Sequence, residues 1–381
     1  MRKKPLEIGF IGGALNSAIG TTHKIASQMD GRWNLVSGCF STKEKSNNDT
    51  ATAWNIPLER TYDSWRQMLE QEQGKLDAIA ILTPTPTHTE IVIAAAELGY
   101  AVICEKTLAI SVDEARKIND AVKSNSSYLA VTYNYTGYPM IRELQACIRE
   151  GSLGRLTQIH IEMPQEGFLR LGKNDGKPTP QDWRLHDNEI SIIGLDLGAH
   201  VHQLIDFLTN EKPLEVTAMD NNYGFFNNIV DNTMCMAKYS NNLDTQIWFS
   251  KSALGHSNGL RIRVYGEIGS AEWYQLTPDT LTFHDNRGNK NTIERSYNGL
   301  RVADQDRYNR FKAGHPTGFI EAFANYYYDL AEDLEGFKNT GTRTSPWIFG
   351  GEEALEGLLL LEAMANSSTS KKWANVDLTS P

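Results

Sequence analysis

Short apolar runs alternate with amphipathic stretches along the first 136 residues. The apolar runs Ala78–Leu82 and Ala101–Cys104 flank a helical pattern of ten residues, Thr89–Leu98, which ends at Gly99. Two short buried strands joined through a helix form a βαβ unit, which packs as a right-handed parallel crossover. Repetition of this pattern predicts five or six parallel strands alternating with helices, and therefore a doubly wound α/β domain over residues 1–136.

The pattern changes after residue 137. Between residues 214 and 283, runs of alternating apolar and polar residues follow one another without helices between them. This succession predicts a large, mainly antiparallel open sheet. We therefore expect an α+β domain over residues 137–381, whose final helix is able to pack back on the first domain. The helices predicted for this domain are Pro139–Glu150, Ile190–Thr209, Phe319–Phe337 and Glu352–Ala365.

Composition and charge narrow the classes of function. The chain has 381 residues, 40% of them hydrophobic and 22% charged, which is ordinary for a soluble globular protein. Its net charge is −10 without a clustered basic face, which argues against binding to nucleic acid or to an anionic membrane. Cys39 and Cys104 fall in predicted buried strands, and the four cysteines form no C-x-x-C, so inert thiols are favoured. No run approaches the roughly 18 apolar residues of a membrane span and no signal-peptide core is present, so a cytoplasmic location is expected.

A glycine turn, Gly12–Gly20, follows the first predicted strand, Leu6–Ile11. A strand, a glycine turn and a helix start form the phosphate site of a dinucleotide-binding domain, because free backbone N–H groups and the helix dipole meet the pyrophosphate. Gly12 fits the G-x-G-x-x-G pattern, whereas Ala14 and Ser17 stand at its second and third glycine positions. An ordinary glycine-rich turn is the alternative interpretation. The position of the turn at the start of a βαβ series favours a Rossmann dinucleotide-binding domain.

The end of the second predicted strand, Leu35–Phe40, bears on the choice between NAD and NADP. An acid at this end accepts hydrogen bonds from both ribose hydroxyls and usually marks NAD. Here Ser41 is able to bond a hydroxyl or a 2′-phosphate, and Lys43 or Lys45 is able to neutralise a phosphate. Both dinucleotides therefore stay open, with NAD slightly favoured.

Polar residues follow the two strands of the central βαβ unit. Because ligands bind beyond the carboxyl ends of the strands in an open parallel sheet, Thr83–His88 and Glu105–Thr107 are predicted to lie side by side. Lys106, next to an acid at this edge, is a candidate for handling a substrate hydroxyl. The following predicted strand ends beside Asn134, at the same edge.

A second candidate group lies on the predicted helix Ile190–Thr209. Asp196 and His200 are four residues apart, so in an α-helix they share one face. An imidazole held by a carboxylate is able to take a proton from an alcohol and return it, since its pKa lies near working pH. For an isolated D-x-x-x-H motif, a structural histidine near a helix-start carboxylate is the favoured alternative. His200 and His202 point apart on a helix and no third ligand is evident, so no metal site is predicted.

Five motifs occur in order along nearly the whole chain: the glycine turn, Thr83-Pro84-x-x-x-His88, Glu105-Lys106-x-Leu108, Asp196-x-Gly198-x-His200, and Gly-His-Pro-x-Gly-x-x-Glu-Ala-Phe at 314–323. Together they resemble the Gfo/Idh/MocA family, the glucose–fructose oxidoreductases and inositol dehydrogenases. The resemblance implies NAD(P)-dependent oxidation or reduction of a secondary alcohol on a sugar, sugar derivative or cyclitol. It also implies a dinucleotide-binding first domain and a second domain with an open sheet and, commonly, an oligomer interface.

The resemblance assigns roles residue by residue. Lys106 is expected to hydrogen-bond the reacting hydroxyl, His200 to exchange its proton, and Asp196 to orient or hydrogen-bond at the same site. His88 and Glu105 are expected along the nicotinamide half of the dinucleotide. The other predicted substrate-binding residues are Asn134, Trp183, Arg184 and His315. The predicted cofactor-binding residues are Gly12, Gly13, Ala14, Asn16, Ser17, Ser41, Thr42, Lys45, Thr83, Pro84, His88, Glu105 and Lys106.

Two alternatives to a sugar or cyclitol dehydrogenase follow from the same fold. A non-catalytic dinucleotide- or sugar-sensing regulator is the first, although a sensor has no need of Lys106, Asp196 and His200 together. A redox enzyme acting on a non-sugar carbonyl is the second, but the polar loop Gln165–Asn188 favours a polyhydroxyl ligand. The expected partner is a small molecule, bound by a homodimer or homotetramer, since self-association is the usual cover for an open sheet face. Thr107 stands where the family usually has proline, which loosens a constraint on the loop.

Overall fold

The apolar runs of the first domain form five strands with helices between them. The computed structural model describes residues 3–312 and 314–378. Its first elements are β1 (Leu6–Gly12), α1 (Ala18–Met29), β2 (Trp33–Cys39), α2 (Glu44–Trp54), α3 (Trp65–Glu72), β3 (Ala78–Leu82), α4 (His88–Glu97), β4 (Val102–Glu105), α5 (Val112–Ser124) and β5 (Leu129–Thr132). All five strands pair in parallel, in the order β2-β1-β3-β4-β5. The predicted doubly wound α/β domain is confirmed.

The next part of the chain builds a larger sheet. Its elements are α6 (Pro139–Arg149), β6 (Leu156–Pro164), one turn of π-helix (Gly194–Gly198), α7 (Ala199–Thr209), β7 (Pro213–Asn221), β8 (Asn232–Tyr239), β9 (Leu243–Ser250), β10 (Arg261–Gly266), β11 (Gly269–Tyr274), β12 (Thr280–Asp285) and β13 (Lys290–Glu294). Strands β6 and β9 pair in parallel, whereas the other described pairs of this sheet are antiparallel. The prediction of a mainly antiparallel sheet is confirmed. The π turn replaces the first part of the continuous helix predicted over Ile190–Thr209.

Three elements end the described chain: α8 (Phe319–Thr340), α9 (Gly351–Ser370) and β14 (Ala374–Asn375). Strand β14 completes a nine-stranded sheet with the order β13-β12-β11-β10-β6-β9-β8-β7-β14. The chain divides into a first unit, Met1–Gly137 with Phe319–Leu355, and a second unit, Tyr138–Gly318 with Glu356–Pro381. The division near residue 137 lies where the sequence pattern changes. Helix α8, however, belongs to the first unit, although the pattern assigns it to the second domain.

Helix α8 joins the first unit because its apolar face completes that unit's core. Its side chains Phe323, Tyr327 and Leu330 belong to the same buried cluster as Phe10 of β1. The indole Nε1 of Trp33 donates a hydrogen bond to the carbonyl oxygen of Tyr327, at 2.8 Å. An amphipathic pattern shows which face of a helix is buried but not which sheet covers it. The sequence therefore predicts the helix but does not show which sheet it covers.

The sheet of the second unit has one buried and one open face. Along β8, Cys235 and Ala237 are buried, while Met234 and Met236 are exposed. This alternation follows from the two-residue period of a strand. Helices α6 and α7 contact strands of the sheet. The open face therefore carries large apolar side chains.

All four cysteines are buried free thiols. Burial raises the pKa of Cys39 to about 11, with a smaller contribution from the charge of Asp63. Neither observation gives these thiols a reactive character. Among residues 3–312 and 314–378, no helix is long and apolar enough to cross a membrane.

Candidate active site

The glycine turn after β1 is shaped by backbone that only glycine adopts readily. Gly12 and Gly13 have φ angles of +86° and +75°. A Cβ atom on Gly20 would lie 1.9 Å from the carbonyl oxygen of Gly13, so α1 packs against the turn at a distance that only glycine allows. Ser17 caps α1, because its Oγ accepts a hydrogen bond from the N–H of Gly20 at 3.3 Å.

Gly20 therefore has the packing role that the G-x-G-x-x-G pattern gives to its third glycine, where this chain has Ser17. In the sequence, Gly20 is the last residue of the turn and lies outside the G-x-G-x-x-G pattern. Ala14 is buried and Asn16 exposed. The turn, followed by the first N–H groups of α1, is a cradle that fits a pyrophosphate.

The end of β2 is polar and has no acidic side chain between residues 40 and 43. Ser41 Oγ accepts a hydrogen bond from the N–H of Lys43 at 3.1 Å, which shapes the turn into α2. Thr42 is exposed, and the exposed Lys45 pairs with Asp49 at 2.7 Å. A surface pair of this kind is weak and easily exchanged. Lys45 is thus able to turn towards another anion.

His88 joins the loops that follow β3 and β4. Its ring is fully buried, with Nδ1 2.9 Å from the carbonyl oxygen of Thr107 and Nε2 2.8 Å from that of Thr83. Burial lowers the pKa of His88, although the two carbonyl oxygens act in the opposite direction. A neutral ring donates to one carbonyl at a time. His88 thus fixes the segment around Lys106, where the Lys106–Thr107 peptide bond is cis.

Glu105 is held by a buried polar network of the first unit. Its carboxylate accepts hydrogen bonds from Thr132 Oγ1 and from His23 Nε2, the latter at 2.9 Å. His23 Nδ1 lies 2.6 Å from the hydroxyl of Tyr327 on α8. Burial alone would raise the pKa of Glu105, but the bonds from His23 and Thr132 and the charge of Lys106 outweigh it and lower the pKa. An ionised carboxylate therefore lies directly beside Lys106.

Asn134 lies at the same edge of the sheet, in a single 3-10 turn after β5. Its side chain is 2% exposed, and its Nδ2 has no hydrogen-bond partner in the described part of the chain. Buried polar groups are normally bonded, so an unpartnered donor suggests a missing ligand or water. This observation fits the predicted role of Asn134 in binding substrate.

In the second unit, the π turn carries Asp196 and α7 carries the buried His200. Asp196 and His200 thus lie in consecutive elements, the π turn and α7, and their sharing of one helical face stays a prediction. Asp196 Oδ2 accepts hydrogen bonds from Arg184 Nη1, at 2.9 Å, and from Lys251 Nζ. Lys251, which the sequence analysis missed, directly follows β9. Its position at the end of a predicted strand is the sequence feature that could have identified it.

The segment before the π turn is anchored by Asp187. Its two carboxylate oxygens accept from the N–H of Ile192 at 2.7 Å and from that of Val230 at 2.6 Å. Burial outweighs these bonds and raises the pKa of Asp187. The anchor fixes the chain between the turn that carries Arg184 and the turn that carries Asp196.

The remaining predicted residues occupy different surroundings. Trp183 donates from Nε1 to Gln181 at 3.0 Å, and the guanidinium of Arg184 stacks on its ring. His202 faces Glu356 at 3.4 Å, and no cluster of metal-ligating side chains exists in the described residues. His315 is exposed, with Nδ1 2.9 Å from the carbonyl oxygen of Lys312. The structure thus gathers Asp196, Arg184 and Lys251 in one unit, and His88, Glu105 and Lys106 in the other.

Two parts of the chain match models of one protein family. Residues 6–133 match a family described as an oxidoreductase family with an NAD-binding Rossmann fold, and residues 141–272 match the GFO/IDH/MocA C-terminal domain. The chain belongs to the Gfo/Idh/MocA family. Family members are NAD-dependent sugar or cyclitol dehydrogenases.

Relatives of this family cover nearly the whole chain. An uncharacterised oxidoreductase of Bacillus subtilis is 28% identical over 86% of the chain and 85% of its own length. Levoglucosan dehydrogenase of Pseudarthrobacter phenanthrenivorans is 23% identical over 97% of the chain and 98% of its own length. The structure of an inositol dehydrogenase homologue from Azotobacter vinelandii, complexed with NADH and myo-inositol, covers 98% of both chains with a TM-score of 0.87 and 25% identity.

The first domain of this Gfo/Idh/MocA protein is an NAD-binding Rossmann domain. The residues of the first unit fit NAD, because the glycine turn Gly12–Gly13 and the start of α1 form a cradle for the pyrophosphate. The nicotinamide supplies the hydride chemistry when bound. The protein has only to place the substrate and manage one proton.

Proposed function

We propose that this Gfo/Idh/MocA protein transfers hydride between NAD and a secondary alcohol of a sugar, sugar derivative or cyclitol. The observation that carries the proposal is Lys106, an amine at the carboxyl edge of an NAD-binding sheet, with the ionised Glu105 beside it and His88 joining the loops on either side. The substrates named for the relatives, levoglucosan and myo-inositol, belong to the same polyhydroxyl class.

In the proposed mechanism, Lys106 donates a hydrogen bond to the reacting hydroxyl oxygen. His200 takes the hydroxyl proton during oxidation and returns it during reduction. Asp196, an acceptor held by two cations, orients the hydroxyl or the imidazole. Asn134, Trp183, Arg184 and His315 are proposed to bind the remaining hydroxyls of the substrate. Side chains of the protein would then carry the proton, and the hydride chemistry would be supplied by the bound nicotinamide.

The test is a panel of sugars and cyclitols with NAD and with NADP, followed at the absorbance of the reduced nicotinamide. We expect reduction of NAD with at least one polyhydroxyl substrate. Silence across the panel, together with no dinucleotide binding by calorimetry, would contradict the proposal. Dinucleotide binding without turnover would instead favour the regulatory alternative.

Self-association through the open sheet face is proposed for the second unit, as a homodimer or homotetramer. A cavity of about 410 Å³ opens on this sheet, lined by Met234, Met236 and Trp248 among others. Large exposed apolar patches commonly mark interaction surfaces. Light scattering of the protein as it elutes from a size-exclusion column gives its mass in solution. A monomeric mass at micromolar concentration would contradict the proposal. The cytoplasmic location stays a prediction.

A further inference from the structure

Lys251 is the less exposed of the two cations that bond Asp196. Its backbone N–H donates to the carbonyl oxygen of Asp231 at 2.8 Å, and its own carbonyl oxygen accepts from the N–H of Phe168 at 2.8 Å. Its Nζ also lies 5.3 Å from the centre of the Phe168 ring. The residue is therefore fixed by the end of β9 and by the buried ring against which its side chain packs.

Arg184, the second cation on the same carboxylate oxygen, is held less firmly. It lies in a short 3-10 turn, Asp182–Leu185, within the polar loop, and it stacks on Trp183 of that turn. Its side chain is 29% exposed, against 11% for Lys251. Lys251 is thus the fixed partner of Asp196, and Arg184 the partner on a surface turn.

We propose that Lys251 is a positioning residue for the reaction: its ammonium holds the Asp196 carboxylate in one orientation, in the π turn that precedes α7. This inference rests on the proposed function, in which Asp196 orients the reacting groups. A buried lysine needs a carboxylate partner, and a buried carboxylate needs a cation, so each group fixes the other. With Lys251 removed, Asp196 loses the less exposed of these two cations, while Arg184 lies on the surface turn.

The proposed role of Lys251 differs from general stabilisation of the fold, because Lys251 acts on the reaction only through the Asp196 carboxylate. Active-site groups are effective when neighbouring contacts lock their rotamers, and a misplacement of about 1 Å is able to cost about 100-fold in rate. We therefore expect the loss of Lys251 to lower kcat more than it raises KM. Binding of NAD, which depends on the glycine turn of the first unit, should not change.

The experiment compares Lys251→Met, Lys251→Gln and Lys251→Arg with wild type and with Asp196→Asn. Lys212→Met is the matched control, since Lys212 also bonds partly buried carboxylates of the second unit, Asp206 at 3.0 Å and Glu356 at 2.8 Å. The activity is the oxidation of whichever sugar or cyclitol of the panel is turned over. Calorimetry gives the Kd of NAD, and thermal unfolding confirms that each variant is folded.

We expect Lys251→Met and Lys251→Gln to lose about 100-fold in kcat/KM, and Lys251→Arg, which keeps the charge, to recover part of that loss. In the Asp196→Asn background, Lys251→Met should cost less than about threefold, because the group through which it acts is gone. Lys212→Met should lower thermal stability with little change in kcat/KM.

Three results would overturn the inference while leaving the proposed function intact: near-wild-type turnover of Lys251→Met, equal activities of the glutamine and arginine variants, or an undiminished loss in the Asp196→Asn background. If Lys251→Met fails to fold, the comparison of the glutamine with the arginine variant decides. An inactive wild type overturns the proposed function and the positioning role with it.

Discussion

The carboxyl edge of the first unit and the start of α7 in the second unit hold their candidate residues in different ways. At the edge, His88 binds the backbone of Thr83 and Thr107, 5 and 19 residues away. At the helix start, Asp196 is held by the side chains of Arg184 and Lys251, 12 and 55 residues away. The first arrangement is built on neighbouring strands and their backbone, and the second on ion pairs between separate segments.

This difference predicts where a substitution acts. At the carboxyl edge, the backbone and a buried network keep the loop in place, so removal of Lys106 should remove a chemical group and leave the site intact. At the helix start, the charges themselves make the site, so removal of one should displace another. The substitutions below separate these two kinds of effect.

The largest effect is expected for Lys106→Met. Loss of the amine that bonds the reacting hydroxyl should lower kcat/KM by about 1000-fold. The Kd of NAD should stay within about twofold, because the pyrophosphate cradle lies at the end of β1. Steady-state kinetics and calorimetry give the two values.

Lys75→Met, at the opposite edge of the sheet just before β3, is the control and should keep full activity. Near-normal turnover of Lys106→Met would remove the assignment of Lys106. A large rise in the Kd of NAD would show that Lys106 supports the cofactor, and the two units would then be less different than proposed.

His200→Ala should lower kcat by about 100-fold, because the proton of the hydroxyl then has no internal acceptor. Added imidazole should restore part of the activity if the loss is that of a proton carrier. His202→Ala is the control, since His202 faces Glu356 on the same helix, and it should lower stability without any response to imidazole. Absence of rescue in His200→Ala would favour a structural histidine, the alternative that an isolated D-x-x-x-H motif suggests.

The same comparison shows what the sequence is able to reveal. The parallel-strand rule places Thr83–His88 and Glu105–Thr107 at one edge, and the structure agrees because β3 and β4 are neighbours. The ion pair of Lys251 with Asp196 has no local pattern, since neither spacing nor periodicity links residues of two separate elements. The π turn is hidden for a similar reason, because its apolar residues also suit an α-helix.

The buried network of the first unit shows a second limit. Glu105 is predicted from its place after β4, but the pairing with His23 and Tyr327 depends on α8, which returns to the first unit from the end of the chain. The contact of Gly20 with Gly13 differs from this network, because the two residues are close in sequence and belong to one strand–turn–helix pattern. A close approach of α1 to the turn could have been expected there.

His23→Leu tests whether the network supports the carboxyl edge. It leaves the Glu105 carboxylate buried without its histidine partner, which should lower the free energy of unfolding by about 3 kcal/mol at neutral pH. Chemical denaturation gives this value. Glu105→Gln, which removes the charge together with its partner interaction, should cost less.

The pH dependence of the same variants follows from the lowered pKa of Glu105. A carboxylate with a lowered pKa in the folded state contributes stability that is present above its ordinary pKa and is lost as the pH falls through the lowered value. The difference in unfolding free energy between wild type and Glu105→Gln should therefore shrink in acid. If this difference in unfolding free energy does not change with pH, the charge of the Glu105 carboxylate does not contribute to the stability of the fold.

The smallest effect is expected at the end of β2, where a substitution should change only the preference between the two dinucleotides. Ser41→Asp would introduce the carboxylate that accepts from both ribose hydroxyls and repels a 2′-phosphate, and it should shift the ratio of kcat/KM values towards NAD over NADP by about tenfold. Ser46→Asp, within α2, is the control and should leave the ratio unchanged. An unchanged ratio in Ser41→Asp would mean that the ribose is bound elsewhere. The ends of the strands would then predict the binding residues of the first unit less well than Lys106 and His88 suggest.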